Sequence, residues 1–216
     1  MRKWIPPVLI VLAMVASVIA YPHMAERVPT HWNMAGEVDG WSSRLMSAWL
    51  MPLMMAVILV ILKLVPHIDP RKQNYEKFRG AYDAIVILIL AFMLGLHVLM
   101  LAAATGRGVP FERIIPASVG AFFIVLGFIL PRAHPNWFIG IRTPWTLSSD
   151  VSWERTHRLG GTLFMLTGAL TLISALIAPE SSAWVLVSGG MVTVISLFIY
   201  SFIVWKREQG RGAAAE

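Results

Sequence analysis

The side chains able to do chemistry in this 216-residue chain gather in two polar segments. The first, residues 22–45, carries Pro29, His31, Trp32, Asn33, Gly36, Asp39 and Gly40. Imidazoles and carboxylates of this kind ligate metals, but His23, Glu26, His31, Glu37 and Asp39 follow no standard zinc spacing, so no metal is expected. Asn33, Gly36 and Asp39-Gly40 favour tight turns, and the plain expectation is a folded hairpin capping the structure beneath. His31, Trp32 and Trp41 are amphipathic, suited either to a membrane interface or to a ligand.

The second segment, residues 131–158, carries Asn136, Trp137, Gly140, Arg142, Thr143, Pro144, Trp145, Trp153, His157 and Arg158. Planar aromatics and arginine are the types enriched in binding hot spots, so these residues form a second candidate binding site. Ser148 or Ser149 ahead of Asp150 signals a helix N-cap. On a helix starting there, Trp153 and His157 share one face, as do Glu154 and Arg158. The blander reading is an interfacial helix with belt aromatics and a surface ion pair.

Covalent and cofactor chemistry find little support. There is no cysteine, hence no thiol nucleophile or thiolate site. No His-Glu-x-x-His run, glycine-rich phosphate loop or elbow serine occurs, so neither enzyme activity nor a cofactor is expected.

The elements that must position these segments are membrane helices. The chain is 57% hydrophobic and only 14% charged, against roughly 25% charge in a soluble domain. Crossing a bilayer takes about 20 apolar residues, and six runs qualify: 4–21, 46–62, 82–105, 114–131, 159–178 and 183–204. Lipid tolerates no unpaired backbone, so the fold class expected is an all-α integral membrane protein, a six-helix bundle. Pro6, Pro7 and Pro52 are placed near helix starts, where proline is tolerated. A cleaved signal peptide ending at Ala20 is the alternative for the first run, but that run exceeds the roughly 7–15 apolar residues of a signal core.

Orientation follows from charge. Of 18 Lys and Arg residues, 14 fall on one side: Arg2, Lys3, Lys63, Arg71, Lys72, Lys77, Arg79, Arg132, Arg142, Arg155, Arg158, Lys206, Arg207 and Arg211. Arg27, Arg44, Arg107 and Arg113, the other 4, lie opposite. Positive residues near span ends stay in the cytoplasm, so both termini are expected inside and residues 22–45 outside. Trp4, Trp49, Trp184 and Trp205 sit where interfacial anchors belong. The basic residues track the loops, and no direct nucleic-acid partner is expected.

Small residues spaced by seven, Gly120 with Gly127 and Gly161 with Gly168 and Ala175, would let backbones approach closely. Shorter seams of the same kind are Ala84, Ala91 and Gly95, and Gly189 with Ser196. His97 lies at membrane depth, with Asp83 nearer the span end. An intramembrane ionisable group invites a functional reading, but packing through a hydrogen bond to a neighbouring helix is the simpler one.

The run Asn136-Trp137-Phe138-Ile139-Gly140-Ile141-Arg142-Thr143-Pro144-Trp145-Thr146-Leu147-Ser148-Ser149, followed by Trp153, Thr156-His157-Arg158 and Gly160-Gly161, resembles the signature of the SdpI family of bacterial membrane immunity proteins. The run Pro29-Thr30-His31-Trp32-Asn33, with Gly36 and Asp39-Gly40, resembles a small domain of unknown function that often precedes it. That second run departs at Val38, where proline is common, and at Trp41, where Tyr or Phe is common. The resemblance implies a bacterial inner-membrane protein that protects its cell from a secreted toxin peptide. It also implies capture of a cytoplasmic transcriptional repressor as a second partner, beside membrane lipid. The division expected is 1–65, a two-helix unit with the outside loop, and 66–216, a four-helix unit with the inside motif. A small transporter or channel is the alternative, though it would want paired broken helices and buried charges. A membrane-embedded enzyme is a more distant one.

Overall fold

The computed structural model describes residues 2–33 and 38–212. Gly36 lies outside the described residues, as does the side chain of Trp32. Helix α1 covers Ile5–Ala20 and is followed by the strands β1, Arg27–Trp32, and β2, Val38–Ser43. Helix α2, Arg44–Ile68, leads through the short α3, Asn74–Lys77, to α4, Arg79–Ala104. Then come α5, Phe111–Ile129, the short α6, Pro144–Ser148, α7, Asp150–Ile177, and α8, Pro179–Gly212. Six of the helices are long and apolar enough to cross a membrane. The outward side chains are those of a lipid-facing surface, with Ile19, Ile61, Ile177 and Val194 all exposed.

The expected spans are all present, most of them longer than apolarity alone marks. Ser43 caps α2 by accepting the Met46 N–H at 3.2 Å, so that helix starts before the apolar run and places Pro52 inside it. The cost of an interior proline is offset locally. Pro52 has no N–H to give the Ala48 carbonyl, and Ser17 of α1 donates its hydroxyl there instead, at 2.6 Å. Ser17 has one hydroxyl proton, so His97 of α4 donates from Nε2 to the Ser17 oxygen, 2.8 Å away. His97 is fully buried, and through this relay it ties α1, α2 and α4 together, the role expected of a packing histidine.

The helices pack as two triplets. Helices α1, α2 and α4 surround a core that includes Ala13, Met55, Leu59, Val86 and Leu90. Helices α5, α7 and α8 form the other triplet. There Gly120 and Gly127 of α5 meet Gly168 and Gly161 of α7. A Cβ on Gly127 would stand 2.5 Å from the Gly161 carbonyl oxygen, and one on Gly168 would stand 2.5 Å from that of Gly120. Backbone therefore lies against backbone, the close approach that replaces hydrophobic drive in lipid. The triplets touch more lightly, with Phe92 of α4 against Phe122 of α5 at 4.8 Å between ring centroids.

The hairpin is the one β-sheet among the described residues. β1 and β2 pair antiparallel, with His31 opposite Gly40 and an irregular register around it. The buried Val28 and Met24 pack with Ala48, Leu101 and Ala104, and Ala25 donates its N–H to the Ala104 carbonyl at 3.2 Å. The hairpin thus caps α2 and α4, as its turn residues suggest.

Candidate functional site

At the end of the bundle that carries both termini, the 131–158 segment folds into a hydrogen-bonded platform. Asn136 is buried and organises the turn that follows it. Its Oδ1 accepts from the Phe138 and Ile139 N–H groups at 2.9 and 2.6 Å, and its Nδ2 donates to the His134 and Ile139 carbonyls at 2.9 and 2.8 Å. An amide supplies both donors and acceptors, so no charged or apolar residue can substitute for it.

Trp153 and His157, one turn apart on α7, stack with centroids 4.1 Å apart. Both are buried. Trp153 donates from Nε1 to the Ala133 carbonyl at 2.8 Å. The His157 Nε2 accepts the Ile141 N–H at 3.0 Å, which requires that nitrogen to be unprotonated; Nδ1 then carries the proton and donates to the Trp153 carbonyl at 2.8 Å. Gly140 closes over this pair with φ +120°, and a Cβ there would lie 2.3 Å from His157 Nε2. Glycine is therefore required twice, by backbone and by space.

Thr143 and Thr146 form a reciprocal capping box at the start of α6, with Pro144 in its first turn. The Thr143 hydroxyl reaches Ser201 of α8 at 3.0 Å, and Ser152 donates to the Ser201 carbonyl at 2.9 Å. Ser149 caps α7, accepting the Ser152 N–H at 2.9 Å, and bonds Glu208 of α8. The motif is thereby fastened to the last helix. Arg142 is exposed and donates to the Trp137 carbonyl at 3.0 Å. Trp145 is half-buried against Phe198, 4.8 Å between centroids. Arg158 pairs with Glu154 at 2.8 Å on the exposed face, as their spacing suggests.

The platform thus divides the candidate residues. Asn136, Thr143, Trp153 and His157 are interior groups that hold its shape, while Trp137, Arg142, Pro144 and Arg158 face outward.

Sequence reasoning missed the group that ties the platform to the amino-terminal triplet. Asp69, buried just beyond α2, accepts from Tyr75 O–H at 2.8 Å, from Trp137 N–H at 2.9 Å and from Arg71 N–H at 2.7 Å. Burial and the adjacent Asp69 carboxylate push the Tyr75 phenol well above its ordinary pKa, so it stays a donor. Arg71 pairs with Asp150 at 2.9 Å and donates to the Leu147 carbonyl, and Asn74 donates to that of Pro135. The signal was there in Asp69-Pro70, an Asx-turn dipeptide seven residues past the apolar run 46–62.

At the opposite end, the exposed His31 bonds Asp39 across the hairpin. A Cβ at Gly40 would meet the His31 Cβ at 2.7 Å, so the small residue admits the imidazole. Pro29 pairs with Trp41, and the Arg27 guanidinium lies over the Trp41 ring. Among the described residues no group of three or more His, Asp or Glu converges; Glu37 lies outside them. Thr30, His31 and Asn33 instead rim a cleft of ≈ 920 Å³ whose floor includes Leu96, Met100 and Phe111. Its far wall carries Glu112 and Arg113 of α5 and Glu180 of α8, so both triplets contribute.

Comparison with known proteins accords with both motifs. Residues 132–204 match the SdpI/YfhL protein family, and residues 8–56 match DUF1648, a domain of unknown function. Immunity protein SdpI of Bacillus subtilis (strain 168) is 23% identical over 211 residues, spanning 97% of this chain and 99% of that protein. No solved structure matches. With the platform inside the matched region and the alignment running nearly end to end, the chain is similar to the SdpI/YfhL protein family over residues 132–204 and is a multi-pass protein of a bacterial membrane.

Proposed function

We propose that this protein is a membrane immunity protein that protects its own cell against a secreted, membrane-active toxin peptide. The near full-length alignment with an immunity protein carries the reading. The hairpin-end cleft supports it, because it has the size and character of a peptide site. Its floor is apolar, its rim offers His31, Asn33, Glu112, Arg113 and Glu180, and it opens between two lightly joined triplets. Both termini lie in the cytoplasm on the charge distribution, which puts the cleft outside, where a toxin arrives.

The division at residue 65 is one of motifs rather than packing: the amino-terminal unit brings the hairpin, the carboxy-terminal unit the platform, and α4 lies against α1 and α2. A peptide wedged between the triplets changes their separation, and Asp69 carries that change to Trp137 at the other end. There the outward Trp137, Phe138 and Arg142 form the surface on which a cytoplasmic repressor is captured. Capture coupled to toxin requires both partners to favour one conformer.

The test is to express the protein in toxin-sensitive cells and measure survival against added peptide, beside Arg142→Ala and His157→Ala. Wild type should protect, and His157→Ala should not, because the platform loses its shape. Arg142→Ala should keep protection and lose repressor capture. A wild type that inserts normally and protects no better than an empty vector would show the immunity reading to be wrong.

A further inference from the structure

A second cleft, of ≈ 490 Å³, lies between α1, α2 and α4 at the end that carries the termini. Four cationic side chains line it: Lys3, Lys63, Lys72 and Arg79. Two carboxylates, Glu76 and Asp83, share the wall, and His67 is turned back onto the Lys63 carbonyl at 3.0 Å. None of the six charged groups takes part in an ion pair among the described residues. The cleft lining therefore carries two more cationic than anionic side chains. Beneath the cations the wall turns apolar through Leu59, Val86 and Ile87. Ile87 also borders a neighbouring groove of ≈ 670 Å³ between α4 and α5, lined by Ala84, Leu88, Ala91 and Val125.

We propose that this cleft binds the phosphate headgroup of an anionic phospholipid, with an acyl chain lying along the small-residue groove beside α4. A cationic rim directly above an apolar track fits an amphiphile, and basic pockets between membrane helices recognise such headgroups. A free phosphate would use the rim but gain nothing from the track. The lipid would also fill the light contact between the triplets, which their own side chains leave open.

The experiment uses full-length protein in phosphatidylcholine nanodiscs titrated with phosphatidylglycerol, with bound lipid counted by native mass spectrometry. Phosphatidylglycerol should be retained over phosphatidylcholine, and inorganic phosphate should compete poorly. The triple variant Lys63→Gln/Lys72→Gln/Arg79→Gln should weaken retention on the order of 100-fold. A control with equal charge removed elsewhere on the same end, Arg155→Gln/Arg207→Gln/Arg211→Gln, should retain lipid like wild type. If the triple variant does not fold by circular dichroism, Lys72→Gln alone should still show a loss of several fold. Equal loss in the control, unchanged retention in the cleft variants, or competition by phosphate as strong as by lipid would overturn the proposal.

Discussion

Replacing Gly140 with alanine is the sharpest probe of the platform, because two independent costs fall on one methyl group. The backbone there has φ +120°, a region that other residues occupy at about 1–3 kcal/mol. The new Cβ would also lie 2.3 Å from His157 Nε2 and 3.2 Å from two Trp153 ring carbons. His157 is held on its other side by the Trp153 carbonyl, so it can yield only by giving up the Ile141 N–H. A buried donor left unpaired costs about 1–3 kcal/mol. Together the loss is roughly 2–6 kcal/mol, a large part of the about 5–15 kcal/mol that keeps a domain folded. Reversible unfolding in mixed micelles, followed by tryptophan fluorescence, measures it. Adding His157→Ala to Gly140→Ala removes the clashing ring, so the double variant should be less destabilised than the sum of the singles by about 1 kcal/mol or more. Wild-type stability for Gly140→Ala, or strict additivity in the cycle, would refute the packing argument.

Other outcomes follow from the same geometry. Asp69→Ala strands the Tyr75 hydroxyl and the Trp137 and Arg71 N–H groups, and should cost about 3 kcal/mol in the same unfolding assay, whereas exposed Glu76→Ala should stay within about 0.5 kcal/mol. Gly127→Leu should force α5 off α7 and lower the thermal midpoint of the purified protein, while the same change at Gly190, which faces open space, should be tolerated. Since the chain has no cysteine, single replacements report topology cleanly. Glu26→Cys should react with an impermeant maleimide on intact cells, and Ser148→Cys only after permeabilisation. The reverse pattern would invert the orientation. His31→Ala should leave stability within about 0.5 kcal/mol, its side chain being exposed, yet reduce survival against the toxin.

The sequence was most legible where one physical rule dominates. Apolar length marked the six spans, and the seven-residue glycine spacing on α5 and α7 marked a seam that is in fact backbone against backbone. Local capping chemistry and i,i+4 spacing likewise marked a cap at Ser148 or Ser149, which the structure assigns to Ser149, the Trp153–His157 stack and the Glu154–Arg158 pair. What stayed hidden depends on contacts distant in sequence. Nothing local says that Asp69 reaches Trp137, or that Ser17 supplies the bond Pro52 cannot make. Likewise, a cluster rich in Trp, Arg and His reads as an exposed binding surface, while burial divides it into an interior scaffold and an outward face. Residue type alone does not encode which side of the turn each group takes.

On the proposed function, the toxin peptide is met at the hairpin-end cleft. Site-specific photo-crosslinking tests it most directly, with a photoreactive residue at Thr30 in cells that express the protein and are challenged with the peptide. A covalent adduct of protein plus peptide is expected at Thr30 and none from the same probe at Phe202, on the last helix near the platform. Protected cells that yield no adduct at Thr30, or an adduct only at Phe202, would contradict it.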